Sequence, residues 1–229
     1  MLRNPLIDYI RATAIVFMVV FHIFWDLNFF GYISVDTPHG PFWREFRALI
    51  VSMFLFSVGV SLVYAYQNHI SFAHYGKRLL KLTIASLLVT FSSMVTTPNH
   101  WVYFGILHFI AFATLVCIWL VNKPILCLTF SSVFMAGYWL FDIPGNWPFI
   151  YIQNILPSYT VDLVTPFPWL ALPLLGIWAG HLPVFQKISD QHPVNFDKIV
   201  YLSKNSLIIY LVHQPVLLGL LYAYAYLSQ

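Results

Sequence analysis

The stretch "VVFHIFWDLNFF", residues 19–30, places His22 and Asp26 one helical turn apart inside an otherwise apolar run. Ionisable groups within the hydrocarbon region of a membrane are costly, and they usually mark a pathway or a reaction site. A carboxylate at i+4 can fix the tautomer of an imidazole and raise its basicity, as a general base requires. The pair could instead be structural, with His22 hydrogen-bonded to Asp26. The spacing favours a role in chemistry.

Two more charged residues, Asp8 and Arg11, extend this polar stripe toward the N-terminus. At about 100° per residue, Arg11 and His22 fall on the same helix face, only about 20° apart. A rise of about 1.5 Å per residue puts Arg11 near one membrane surface and His22 about 16 Å deeper. Arg11 could also be a simple anchor whose head reaches the interface.

Histidines also occur in two later apolar runs, His108 in "YFGILHFIAF" and His213 in "SLIIYLVHQPVLL". Pro215 lacks an N–H group and therefore loosens the helix around His213. Each histidine alone could be a core residue with satisfied hydrogen bonds. Three histidines on three predicted helices, at overlapping depths, predict a shared polar cavity.

The elements that must position these residues are membrane-spanning helices. The chain is 60% hydrophobic and only 8% charged, whereas soluble proteins carry about 25% charged residues. We predict an all-α transmembrane bundle in a single domain, 1–229, without a cleavable signal peptide. The predicted spans are 8–33, 47–66, 78–96, 101–121, 124–141, 166–183 and 204–227. A further segment, 147–156, is too short to span and should lie in the interface or re-enter the bundle.

Lysine and arginine are distributed unevenly between the two sides of this bundle. With the N-terminus inside, the inner side holds Arg3, Arg11, Lys77, Arg78, Lys81, Lys123, Lys187, Lys198 and Lys204. The outer side holds only Arg44 and Arg47. Nine against two predicts an inside N-terminus and an outside C-terminus, because basic loops stay cytoplasmic.

Two basic clusters are candidates for binding anions. Arg44 and Arg47 open the second predicted helix at the outer surface, where an arginine fork suits a carboxylate or phosphate on the substrate. An interfacial salt bridge through Glu45 is the structural alternative. On the inner side, a second cluster consists of Lys77, Arg78 and Lys81. It is mostly a signal of topology, and it could also meet the phosphates of a cytosolic donor.

Four segments of the chain resemble, in order, segments of one family. They are "IDYIRATAIVFMVVFHIFWDL", "FWREFRALIVSMFLFSVGVSL", "YFGILHFIA" and "LIIYLVHQPVL". The family comprises bacterial membrane proteins similar to the catalytic domain of heparan-α-glucosaminide N-acetyltransferase, within a wider group of transmembrane acyltransferases. The first segment also resembles the first helix of acyltransferases that modify surface polysaccharides, where an arginine and a histidine are required for transfer. By position, the resemblance assigns that pair to Arg11 and His22.

The resemblance implies acyl transfer from acyl-CoA, with acetyl-CoA as the expected donor and no metal. The acceptor would be a hydroxyl or amine of a glycan or lipid-linked glycan, outside the bacterial cytoplasmic membrane. His22 would deprotonate the acceptor or carry the acyl group, and Asp26 would orient His22. Stabilisation of the oxyanion would fall to His108, His213 or Arg44. No nucleic-acid partner is predicted, and whether the chain forms a homo-oligomer stays open.

A proton-coupled transporter of a small solute or lipid-linked substrate is the main alternative. Buried His and Asp residues also serve as proton relays in transporters. However, the sequence contains no pair of Gly- or Pro-broken helices in symmetric halves, which many transporters show. A third hypothesis is a b-type haem protein with two histidines as axial ligands, which visible absorption would reveal.

Overall fold

The structure is a computed structural model that describes residues 5–157, 159–187 and 196–227. In chain order the helices are α1 (Pro5–Phe29), α2 (Pro41–Tyr66), α3 (Phe72–Thr96), α4 (Ile106–Cys117), α5 (Pro124–Leu140), α6 (Pro166–Trp169), α7 (Ala171–Gly180), α8 (Pro183–Lys187), α9 (Phe196–Lys204) and α10 (Ser206–Leu227). Short 3₁₀ turns occupy Ile118–Leu120 and Phe149–Ile152. The described residues contain no β-strand. The predicted all-α fold is therefore confirmed.

Helix length and composition identify an integral membrane protein. Within the described residues, α1, α2, α3 and α10 are each long and apolar enough to cross a membrane. Ile106–Leu120, Pro124–Leu140 and Pro166–Gly180 are shorter apolar helices. Each of these seven segments overlaps one of the seven predicted spans. Many of their exposed side chains are large and apolar, among them Trp139 and Leu220, which suits contact with lipid.

The fourth and sixth spans differ from their predicted bounds for local reasons. The fourth begins at Ile106 rather than 101, because the Asp162 carboxylate accepts a hydrogen bond from the Ile106 N–H at 2.9 Å and caps α4. The sixth is divided into α6 and α7. Phe167 is non-helical, with φ −111° and ψ 126°, as expected for a residue that precedes a proline.

The two ends of the chain also depart from the predicted helix bounds. The first helix covers Pro5–Phe29 instead of 8–33, and Gly31 follows it with a positive φ of 76°. The last span begins at Ser206, and α9 precedes it as a separate short helix that the sequence did not predict. In segment 147–156 the structure has a 3₁₀ turn with exposed Tyr151 and Ile155. Its interfacial or re-entrant position stays a prediction.

The chain forms two compact units, and the first of them carries the polar stripe. This unit comprises the described residues before Leu55 and those after Lys187. In it α1 packs against α9 and α10. Buried Asp8 accepts a 2.6 Å hydrogen bond from the Ser203 hydroxyl, which joins α1 to α9. Arg3, counted among the inner basic residues, lies outside the described residues. The single domain over 1–229 stays a prediction.

The second unit, Leu55–Lys187, is built around close helix contacts. Here α5 packs on α7, and α3 packs on α4. The C-terminal half of α2 approaches α7 so closely that a Cβ on Gly59 would collide with the Pro173 carbonyl oxygen. A Cβ on Gly176 would likewise collide with the Phe56 carbonyl. Glycine is required at both positions because the helix backbones touch there.

Candidate active site

The imidazole rings of His22 on α1 and His213 on α10 lie side by side in the first unit. Their centroids are 4.7 Å apart and their planes meet at 61°. Trp25 stacks on His22 at 5.7 Å with an interplanar angle of 10°, and Phe21 meets it edge-on. Both aromatic rings thus contact His22 from its own helix. The fold thus brings together two of the three predicted histidines.

The tautomer of His213 follows from its backbone contact. Its Nδ1 lies 2.6 Å from the carbonyl oxygen of Tyr210. A carbonyl can only accept, so Nδ1 carries the proton and donates it. In the neutral ring, Nε2 then holds a free lone pair, and this nitrogen is buried without a hydrogen-bond partner among the described residues. This arrangement suits a base, and it does not suit the oxyanion donor that the sequence suggested for His213.

Asp26 pairs with Gln214 instead of His22. The side chain of Asp26 is 4% exposed, and its Oδ1 accepts a 2.8 Å hydrogen bond from Gln214 Nε2 on α10. Within the described part of the chain, His22 Nδ1 and Asp26 Oδ2 both lack a hydrogen-bond partner. Asp26 therefore does not orient His22 directly, because its carboxylate is hydrogen-bonded to the amide of Gln214 on α10 and not to the imidazole.

Four buried polar atoms without partners lie on these neighbouring side chains of α1 and α10. They are His22 Nδ1, Asp26 Oδ2, His213 Nε2 and Gln214 Oε1, all unpaired among the described residues. Unsatisfied buried polar groups cost about 1–3 kcal/mol each, so native structures contain few of them. Three of the four, Asp26 Oδ2, His213 Nε2 and Gln214 Oε1, can only accept hydrogen bonds when His213 is neutral and the Asp26 carboxyl is ionised. The cluster is therefore suited to a ligand that donates hydrogen bonds.

The arginines of the first unit differ in their exposure to solvent. Arg11 is half-buried on α1, whereas Arg44 and Arg47 are exposed on the first turns of α2. Glu45 between them is exposed as well. The binding roles predicted for Arg44 and Arg47, and the role of Arg11 in transfer, stay predictions.

His108 belongs to the second unit and has a partner at each ring nitrogen. The Thr90 hydroxyl donates to the Val102 carbonyl at 2.8 Å and can accept from His108 Nε2 at 3.0 Å. His108 Nδ1 then accepts the Gly105 N–H at 3.3 Å, at the start of α4. A ring with both nitrogens occupied fastens α4 to α3. These contacts favour a structural role over the predicted oxyanion role.

The inner basic cluster also lies in the second unit, and its members differ in exposure. Lys77 and Lys81 on α3 are exposed, whereas Arg78 is half-buried. The Arg78 guanidinium lies near the hydroxyl groups of Tyr66 and Tyr75. Only Arg78 is therefore held by neighbouring side chains, and phosphate binding by all three stays a prediction.

A comparison with protein families gives one match over residues 3–215, to the heparan-alpha-glucosaminide N-acetyltransferase catalytic family. The chain belongs to this family. The match includes His22, Asp26, His213 and Gln214, and it confirms the resemblance seen in the four segments. Comparisons with curated proteins and with solved structures give no match. Membership implies a membrane acetyltransferase, with acetyl-CoA as co-substrate in general.

Gln214 is a polar residue of the candidate site that was not predicted from the sequence. It follows His213 in an apolar run, where an amide costs desolvation just as an imidazole does. The desolvation cost of an amide in an apolar run could have marked Gln214 as a candidate. Its partner on α1, Asp26, is evident only from the structure. No group of three metal-ligating side chains occurs among the described residues. The absence of a metal from the reaction stays a prediction.

Proposed function

We propose that this protein transfers an acetyl group from cytosolic acetyl-CoA to a hydroxyl or amine of a glycan or lipid-linked acceptor at the outer face. The observation that carries the proposal is the cluster of four unpaired, buried polar atoms on His22, Asp26, His213 and Gln214. The acceptor-rich character of the cluster fits a substrate that presents O–H or N–H groups. Family membership supports acetyl transfer as the reaction.

The chemistry requires a proton acceptor and a path for the leaving group. The substrate O–H or N–H would donate its proton to an imidazole nitrogen as its heteroatom attacks the thioester carbonyl. The C–S bond then breaks, and the imidazolium returns the proton to the CoA thiolate, which restores the neutral base. His213 Nε2 has the free lone pair for the first step, and His22 Nδ1 lies on the adjoining ring. His22 either shares that proton or carries the acetyl group between donor and acceptor.

The orientation in the membrane belongs to the same proposal. We place the protein in a bacterial cytoplasmic membrane, with the N-terminus inside and the C-terminus outside, because of the nine-to-two bias of basic residues. The donor would then enter from the side of Lys77, Arg78 and Lys81. The reaction would move an acetyl group across the membrane to an acceptor that never meets CoA.

Thiol release from acetyl-CoA by purified protein in detergent is the direct test. Cys117 and Cys127 are both buried, so a thiol reagent should report CoA with little background from the protein. The assay is run with and without a panel of hydroxyl- and amine-bearing sugars. We expect release with wild type and its loss in His22→Ala. His69→Ala, in an exposed position, is the matched control and should retain activity.

A transporter would give a different result. Proteoliposomes of the wild-type protein would show a proton flux that His22→Ala abolishes. No acetyl-CoA would be consumed, whichever acceptor is added. That combination would replace the proposal with the proton-coupled alternative, since the same buried cluster could relay protons.

A further inference from the structure

The second unit contains a half-buried cation that the proposed reaction site does not use. Arg78, in the second turn of α3, has its guanidinium beside the Tyr66 hydroxyl and close enough to Tyr75 to interact with it electrostatically. Among the described residues, no carboxylate pairs with Arg78. Withdrawing a cation from water without an opposite charge is costly. The surroundings of Arg78 therefore favour the binding of an anion that balances the charge of the guanidinium.

The hydroxyl groups beside Arg78 have hydrogen bonds to spare. Tyr66 is 2% exposed. Its hydroxyl oxygen faces the Arg78 guanidinium, and its O–H meets no acceptor among the described residues. The Tyr75 hydroxyl reaches the Thr114 carbonyl only at 3.5 Å, beyond a good O–H···O bond. The two tyrosine rings meet edge to face at 5.9 Å. This ring contact holds the two phenol groups next to one another.

We infer that Arg78, Tyr66 and Tyr75 form a binding site for a phosphate group. A guanidinium offers paired N–H donors that match phosphate oxygens, and two phenol O–H groups would add donors to the same anion. The site lies where α2 ends and α3 begins, within one unit. Lys77 and Lys81 are exposed, so they add attraction at a distance without taking part in the site.

Two molecules could supply the phosphate at this end of the helices. One is the CoA donor, and this source rests on the proposed function. The other is the headgroup of an anionic phospholipid, which needs no reaction at all. The chemistry recognised by the site is the same in both cases, so the experiment separates the sources by the probe used.

The first experiment measures CoA binding by thermal shift on the purified full-length protein. Arg78→Gln should weaken the apparent affinity roughly tenfold or more, because a charge-assisted hydrogen bond to phosphate is lost. Lys123→Gln removes the same charge from an exposed position just before α5, outside the Lys77–Lys81 cluster, and should change it less than about threefold. Tyr66→Phe keeps the ring packing and removes one hydroxyl, so it should weaken binding several-fold. This variant decides the matter if Arg78→Gln does not fold.

The second experiment separates the two sources. S-acetylpantetheine lacks the nucleotide phosphates of CoA, so its effect should be the same in wild type and Arg78→Gln if CoA phosphate occupies the site. In parallel, wild type and Arg78→Gln are compared in nanodiscs of phosphatidylglycerol and of phosphatidylcholine. Stabilisation by phosphatidylglycerol that Arg78→Gln loses would assign the site to lipid.

Three outcomes would overturn the site. They are equal losses in Arg78→Gln and Lys123→Gln, unchanged binding of both probes in Arg78→Gln and Tyr66→Phe, and no response of wild type to CoA or phosphatidylglycerol. Failure of the proposed function is distinguishable from these. A protein that binds CoA through Arg78 but transfers nothing keeps the phosphate site and loses the reaction. Conversely, Arg78→Gln could transfer acetyl groups with an unchanged KM for acetyl-CoA and show no lipid effect. That result would remove the phosphate site and keep the reaction.

Discussion

His22 and His213 lie at opposite ends of the sequence, yet their rings are 4.7 Å apart in the structure. Two cationic rings at this distance would repel. We therefore expect the pair to carry at most one extra proton. This makes the reactive unit of the proposed site two imidazoles rather than an imidazole and a carboxylate.

The histidine pair should be essential for transfer but not for folding. We expect His22→Ala to abolish transfer, and His213→Gln to lower kcat by about 10²–10⁴, because a positioned general base contributes that much. Both are measured per mole of monodisperse protein, with thermal midpoints to show folding. Turnover near that of wild type in either variant would remove that histidine from the reaction.

Replacements of Asp26 should separate its charge from its hydrogen bond. Asp26→Asn keeps an oxygen for Gln214 Nε2, so the thermal midpoint should stay near that of wild type while kcat/KM falls on the order of tenfold or more. Asp26→Ala leaves the amide unpaired and should also lose about 1–3 kcal/mol of stability. If Asp26→Asn transfers at the normal rate, the pair is structural, and the charge has no part in the reaction.

His108 should matter for stability and not for chemistry. His108→Ala leaves the Gly105 N–H without its partner, and we expect a loss of about 1–3 kcal/mol with kcat per folded molecule within about threefold. Thr90→Val removes the other contact and should reproduce the effect in smaller degree. A stable His108→Ala that had lost activity would restore the oxyanion role.

The contact between α2 and α7 should tolerate no side chain at Gly176. Gly176→Ala sets a methyl group against the Phe56 carbonyl, and separating the helices should cost about 1–3 kcal/mol, as overpacking does. Gly219→Ala on α10 meets open space and serves as the matched control. The measurement is the fraction of monodisperse protein after a heating series. Equal survival of both variants would contradict the close contact.

The orientation can be tested with reporter fusions. A reporter after Gln229 should be extracytoplasmic and one in the 67–71 loop cytoplasmic, because of the distribution of lysine and arginine. Activity of an extracytoplasmic phosphatase in the first fusion and of a fluorescent protein in the second would agree. The opposite pattern in both would exchange the sides assigned to donor and acceptor.

The sequence by itself determined the membrane class, the seven apolar segments and the polar character of His22, Asp26 and His213. These follow from local quantities, since hydropathy over about 20 residues and the cost of a charge in hydrocarbon need no tertiary contact. Helix ends were less accurate. The start of α4 depends on the carboxylate of Asp162, which is distant in sequence.

Partner choice was decided only by the tertiary structure. From the i, i+4 spacing, His22 and Asp26 were expected to pair, but α10 supplies Gln214 to the carboxylate and His213 to the imidazole. His108 had the same sequence signature as His213, yet Thr90 and Gly105 occupy both of its nitrogens. A helix pattern gives the face on which a side chain lies. Which donor or acceptor meets it depends on the packing of other helices, and hydrogen bonds require that position to within a few tenths of an ångström.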